Sequence, residues 1–186
     1  MYRATDPNLP TRNASRRVSR RRGELIGDYN EIMLEHRVLL VRSRTLSSVQ
    51  AIVDGDSGAA LGYARWEREP SPWWRRMFRR NVLAVREQED EPLLLTVHRT
   101  WRLRACRCVC DAEGRPVGIV LGRLIQDCRG RPIAVLENGV FRSPDRRVLA
   151  ELVPTAEGLQ LTFSDDIAGE PFVKMLLLAA ALQMGS

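Results

Sequence analysis

Trp73-Trp74-Arg75-Arg76-Met77-Phe78-Arg79-Arg80 is the segment whose residue types and spacing come nearest to a chemistry. On a helix turning about 100° per residue, Trp73, Trp74, Met77 and Phe78 share one face and Arg75, Arg76, Arg79 and Arg80 the other. An amphipathic turn with Trp at its boundary and Arg on its polar side suits the headgroup layer of a lipid bilayer. Two other readings stay open. The Trp face could cap a fold and leave the arginines in water, or the segment could stack on single-stranded nucleic acid and neutralise its phosphates.

A second electrostatic signal lies at the N-terminus. Residues 1–22 carry Arg3, Arg12, Arg16, Arg17, Arg20, Arg21 and Arg22 against one acid, Asp6. Of 29 basic and 23 acidic residues, removing this stretch leaves 22 of each, so the excess charge resides in the arm. Such an arm suits a polyanion, either an anionic membrane surface or nucleic acid. No recognisable nucleic-acid-binding motif accompanies it, which makes nucleic acid the weaker partner. Residues 87–91, Glu-Gln-Glu-Asp-Glu, form an acidic run that could pair with the arm in cis.

Metal and catalytic chemistry find less support. Asp165, Asp166 and Glu170 offer hard oxygen ligands for calcium, but their spacing fails the Asp-x-Asp-x-Asp-Gly loop with its distal Glu. Capping and the helix dipole account for carboxylates ahead of Pro171, so no cofactor is expected and calcium is the disfavoured exception. Cys106, Cys108 and Cys110 alternate and share one strand face, and Cys128 follows in a later turn. Without a tight Cys-x-x-Cys pair they read as buried core residues rather than zinc ligands. Neither His36 nor His98 has a nucleophile and acid arranged beside it in sequence, and no Gly-rich phosphate loop occurs, so a non-enzymatic protein is expected.

The elements that must position these groups read as follows. Residues 1–23 are too polar to bury a core and are expected to be a disordered basic arm, with one folded domain over 24–186. Residues 24–34 read as a short helix running into a strand near Glu31. A turn unit then repeats: Ile52-Val-Asp54 with Gly58, Val109-Cys-Asp111 with Gly114, and Ile125-Gln-Asp127 with Gly130. Each is a strand end, an Asp that opens a turn, a Gly that supplies positive φ, and a second strand, which predicts three hairpins. A further strand pair flanks residues 154–158, and 93–101 adds another strand.

The chain then turns apolar from Pro171 to Met184, with Lys174, the sole lysine, as the interruption. At 14 residues this helix falls short of the roughly 20 that cross a bilayer. An apolar helix that does not span must be covered. Phe172, Val173, Met175, Leu176, Leu177, Leu178 and Leu182 are therefore expected inside a closed antiparallel β-barrel. Thiols without a secretory leader point to the cytosol, with peripheral attachment at the inner membrane face.

In this order of motifs the chain resembles the phospholipid scramblase and LURP-one-related families. The matching segments are residues 30–40 (Asn-Glu-Ile-Met-Leu-Glu-His-Arg-Val-Leu-Leu), 49–67, 92–101, 105–124 with its Pro-Val-Gly turn, and Val173-Lys174-Met175. The resemblance covers roughly residues 25–184. It implies the tubby-like fold, a β-barrel threaded by a hydrophobic C-terminal helix, and contact with phospholipid. The chain departs from the family pattern in carrying an Arg arm in place of a Pro-rich region, no Cys-dense run and a shorter terminal helix. Calcium-triggered scrambling is thus the lesser expectation. Peripheral binding to anionic phospholipid leads, and a scaffold that recognises a protein partner or nucleic acid on the same barrel is the alternative.

Overall fold

The structure, a computed structural model, describes residues 33–43, 49–68, 81–87, 93–99 and 106–184. Twelve antiparallel strands form a closed barrel: β1 (Val38–Ser43), β2 (Val49–Asp54), β3 (Ala60–Arg68), β4 (Asn81–Arg86), β5 (Leu93–Arg99), β6 (Cys106–Asp111), β7 (Pro116–Leu121), β8 (Leu124–Asp127), β9 (Pro132–Glu137), β10 (Val140–Arg142), β11 (Val148–Thr155) and β12 (Gly158–Phe163). Each strand pairs with its neighbour in sequence, and β1 closes the ring on β12 with Leu39 opposite Leu161. Closure removes the exposed edges that an open sheet of this size would present.

The repeated turn units make the hairpins β2–β3, β6–β7 and β8–β9. Gly58, Gly114 and Gly130 adopt φ of 73°, 78° and 79°, the left-handed region that a Cβ disfavours. The Asp carboxylates hold the turns. Asp127 Oδ1 accepts the N–H groups of Arg129 and Arg131 at 2.8 Å while Oδ2 takes Arg131 Nε at 2.7 Å. Asp111 binds the N–H and Nε of Arg115 in the same way, at 2.8 and 2.7 Å. A fourth copy, unread in the sequence, joins β10 to β11: Ser143 stands where the others have Asp, and Arg146 takes the positive φ, at 66°. In all four hairpins the pairing register slips by one residue close to the turn, as a bulge requires.

Because the strands meander, these four turns lie on one rim, and the chain leaving β12 crosses that rim before it turns inward. A 3-10 turn, Asp165–Ile167, leads into the terminal helix, Pro171–Met184. Lys174 through Leu182 are buried and pack with residues from most strands in one apolar core. Leu176 lies over Gly118 of β7, where a Cβ would sit 3.0 Å from both of its methyl carbons. At the far end Gln50 Nε2 donates to Leu182 O at 3.5 Å. The closed barrel with its enclosed apolar helix is thus the architecture the sequence predicts.

Several details differ. Residues 33–35 are helical and the strand opens at Val38, not near Glu31. Phe172 is 56 % exposed and Val173 half-buried, because the first turn of the helix stands in the barrel mouth rather than below it. Lys174, by contrast, is buried, so the one charged group of the helix faces inward. Glu87, at the head of the acidic run 87–91, is also buried, while residues 88–91 lie outside the described residues.

Candidate functional site

The barrel mouth carries two concavities, one on each side of the start of the terminal helix. On one side of the helix start, Pro116, Val117, Ile133, Phe172, Val173 and Leu176 line an apolar groove of about 390 Å³, bordered by Asp111, Arg115, Asp127 and Cys128. On the other side, Leu34, Glu35, Ala168, Gly169, Pro171 and Lys174 enclose a cavity of about 210 Å³. Two positions two residues apart, on opposite sides of the helix, thus have opposite surroundings: exposed Phe172 toward the groove and buried Lys174 toward the cavity.

Lys174 is held by two contacts, against a cost of burial. Its Nζ donates to Leu34 O at 2.6 Å, at the end of the helical turn 33–35. The ammonium lies 5.4 Å from the Phe163 ring centroid, within the range of a cation–π contact. Burial lowers its pKa from the usual lysine value, and the Glu35 carboxylate partly offsets this. A base with a depressed folded pKa costs stability while it stays protonated, so this cost is relieved as pH rises toward the ordinary lysine range.

Asp165, Asp166 and Glu170 are all exposed at the same mouth. Arg37 Nη1 lies 3.6 Å from Asp165 Oδ1. Asp165 and Asp166 lie in the first turn of the 3-10 helix ahead of the terminal helix, and Ser164 caps that turn, its Oγ accepting the Asp166 N–H at 3.3 Å. Glu170 contributes its backbone carbonyl to the Lys174 N–H at 3.1 Å. Among the described residues no three His, Cys, Asp or Glu side chains are grouped to hold a metal ion.

Sequence reasoning missed one constellation. His36 Nδ1 lies 3.4 Å from Asp54 Oδ1, and the Ser57 hydroxyl donates to Asp54 Oδ2. These are the residue types of a hydrolytic triad, but the carboxylate stands in the middle. A triad needs the imidazole between acid and hydroxyl so that it can take the proton. Here the hydroxyl proton goes to Asp54, whose pKa is held down first by Ser57 and then by the backbone N–H groups of Asp56 and Ser57 and the nearby His36. The arrangement secures the β2–β3 turn.

The cysteines share a face as expected, but it is the outer one. Val109, between Cys108 and Cys110, pairs with Gly118 beneath the helix and so faces inward. Cys106 is buried, whereas Cys108 and Cys110 are half-buried with their sulfurs 3.9 Å apart. They stand opposite His98 and Thr96 of β5, where His98 Nε2 lies 3.0 Å from Thr96 Oγ1. Burial pushes the Cys110 thiol up to about 11, so it is not a thiolate nucleophile at neutral pH. Arg107 shares the face of Val109 by strand alternation, and burial lowers its pKa.

The lipid-binding residues read from sequence, Arg16, Arg17, Arg20, Arg21 and Arg22 with Trp73, Trp74, Arg75, Arg76, Met77, Phe78, Arg79 and Arg80, lie outside the described residues. The strands that flank the Trp and Arg segment end together, Arg68 opposite Asn81. That rim is the one opposite the Asp turns. Among the described residues no helix is long and apolar enough to cross a membrane, a statement about helices alone.

No family model matches the chain and no curated protein matches it. Among solved structures it is similar to a TarM mutant of S. aureus in complex with Fondaparinux, alpha-GlcNAc-glycerol and UDP, at 8 % identity and a TM-score of 0.21 over 69 % of this chain. A second TarM crystal structure matches at 10 % identity and a TM-score of 0.21 over 78 % of this chain. In both cases the match spans 24 % of the TarM chain, and likeness at this level carries neither fold nor function.

Proposed function

We propose that this chain is a non-enzymatic, scramblase-related barrel with a tubby-like fold that attaches peripherally to anionic phospholipid. The observation that carries the reading is the placement of charge: seven arginines against one acid in residues 1–22, on a body with 22 basic and 22 acidic residues. Five of those arginines, Arg16, Arg17, Arg20, Arg21 and Arg22, fall within seven residues, and each adds about 1 kcal/mol near an anionic surface. Trp73, Trp74, Met77 and Phe78 supply the apolar half of a two-signal attachment. The terminal helix is committed to the core, so transport of lipid across the bilayer would require Leu176, Leu177, Leu178 and Leu182 to leave it. Peripheral attachment needs no such exit. The scaffold reading keeps one specific support, the apolar groove beside exposed Phe172, which is shaped for an apolar side chain of a protein partner.

Co-sedimentation tests the proposal. The full chain is expected to bind vesicles containing phosphatidylserine at low salt, to be released at about 0.5 M salt as screening shortens to a few ångströms, and to ignore phosphatidylcholine vesicles. Replacing Arg16, Arg17, Arg20, Arg21 and Arg22 together by Gln should lower the anionic-vesicle partition at least about tenfold. Equal absence of binding to both vesicles overturns the membrane reading, and capture of a protein partner through the groove would then favour the scaffold.

A further inference from the structure

Cys108 and Cys110 bring two sulfurs within 3.9 Å of each other on the outer wall of the barrel, and neither belongs to the core around the helix. They occupy alternate positions of β6, which pairs with β5 on one side and β7 on the other. The β7 flank is apolar, with Ile119 opposite Cys108 and Pro116 opposite Cys110. The β5 flank is polar, with His98 opposite Cys108 and Thr96 opposite Cys110. Both thiols are half-buried, so a small solute reaches them without unfolding the barrel.

Two thiols this close can form a disulfide, act as a nucleophile or hold a soft ion. An S–S bond of about 2.05 Å would require the sulfurs to close roughly half of their separation. The backbone positions that carry them are held in ladders on both sides. Burial keeps the proton on Cys110, which removes it as a thiolate nucleophile. Coordination fits the geometry instead. Two metal–thiolate bonds of about 2.3 Å, diverging at a tetrahedral to trigonal angle, place their sulfurs about 3.8–4.0 Å apart. The 3.9 Å separation falls within that interval without movement.

The number of donors selects the ion. Among the described residues no third His, Cys, Asp or Glu side chain is grouped with the pair, and His98 Nε2 is engaged with Thr96 Oγ1 at 3.0 Å. Structural zinc takes four such ligands, and hard cations take oxygen. Cu(I), a soft ion that thiolates select, is satisfied by two.

We propose that Cys108 and Cys110 form a dithiolate clamp for Cu(I) on the outer wall of the barrel. Each thiol passes its proton to the buffer as its sulfur takes the ion. Two Cys–SH groups and one Cu(I) ion thus give one bis-thiolate complex and two protons, with no change of oxidation state. The complex carries one net negative charge, and His98, opposite Cys108, can hold the balancing proton. No residue of the Arg arm or the Trp segment enters the site, so it stands apart from the membrane reading.

The test is anaerobic titration of the full chain against Cu(I) bicinchoninate, read as loss of the coloured chelate. Wild type should withdraw one Cu(I) per chain. Cys108→Ser and Cys110→Ser should each weaken binding by at least about a hundredfold, beyond what loss of an outer-shell partner costs. Cys128→Ser, a change at the exposed thiol of the β8–β9 turn, should leave the affinity unaltered. Thermal midpoints taken without copper show whether each variant folds. X-ray absorption at the copper edge of the wild-type complex needs no variant and should give two sulfur neighbours. Failure of wild type to compete with the chelator, binding that survives in the double variant C108S/C110S, or fewer than two sulfurs around copper overturns the clamp.

Discussion

Leu177→Ala is expected to cost about 3–5 kcal/mol, measured by urea unfolding, and Leu177→Asp to abolish the folded state. Leu177 has no exposed surface and lies among the strands on the helix axis. Truncating it leaves a cavity that neighbours from a closed barrel cannot collapse to fill, since each strand is fixed by pairing on both sides. Phe172→Ala, five residues upstream, is the internal control. It stands in the mouth with more than half its surface in water, and its loss should move stability by no more than about 0.5 kcal/mol. Were the terminal helix an external anchor, the two substitutions would have similar and small effects in aqueous solution.

Gly118→Val is the second large effect. Gly118 has an ordinary backbone, so its role is steric. A Cβ there would press on Gln126 O of the adjacent strand and lie 3.0 Å from both Leu176 methyl carbons. The carbonyl is fixed in the β7–β8 ladder, where Gly118 pairs with Asp127, and cannot retreat. Valine adds two more carbons toward the helix, and a loss above about 3 kcal/mol is expected, the upper end for overpacking. Gly118→Ala combined with Leu176→Ala should cost less than the two single losses added together, because the leucine contact is relieved while the carbonyl contact persists. A simple sum of the two single effects would show that the helix does not press on β7.

Much of this fold was legible because its signals are local. Asp111 and Asp127 with Gly114 and Gly130 announce their turns through chemistry contained in five residues, and the structure puts each bond inside that window. The fourth turn escaped because Ser143 and Arg146 fill the same geometry with residues that carry weaker preferences. Strand β4 escaped for another reason. Val82, Leu83, Ala84 and Val85 are all buried, so the period-two alternation that marks a half-exposed strand is absent. The three residues of β10 are too few to show a period.

The site was less legible than the frame. Residue type made Phe172 a core residue and Lys174 an interruption, and only the depth of the helix in the barrel reverses them. His36 and Asp54 are 18 positions apart and meet because β1 and β2 pair, with Leu39 opposite Asp54. For the cysteines, alternation gave a shared face, but which face is inward depends on Gly118 one strand away.

Native-state amide exchange across Lys174 to Leu182 tests the account most directly. The helix is held to be the interior of a closed barrel, so in plain buffer, without detergent or lipid, these amides should exchange only through global unfolding. Their protection should then match the unfolding free energy measured by urea. Rapid exchange there, or protection that arises only when anionic vesicles are added, would contradict it.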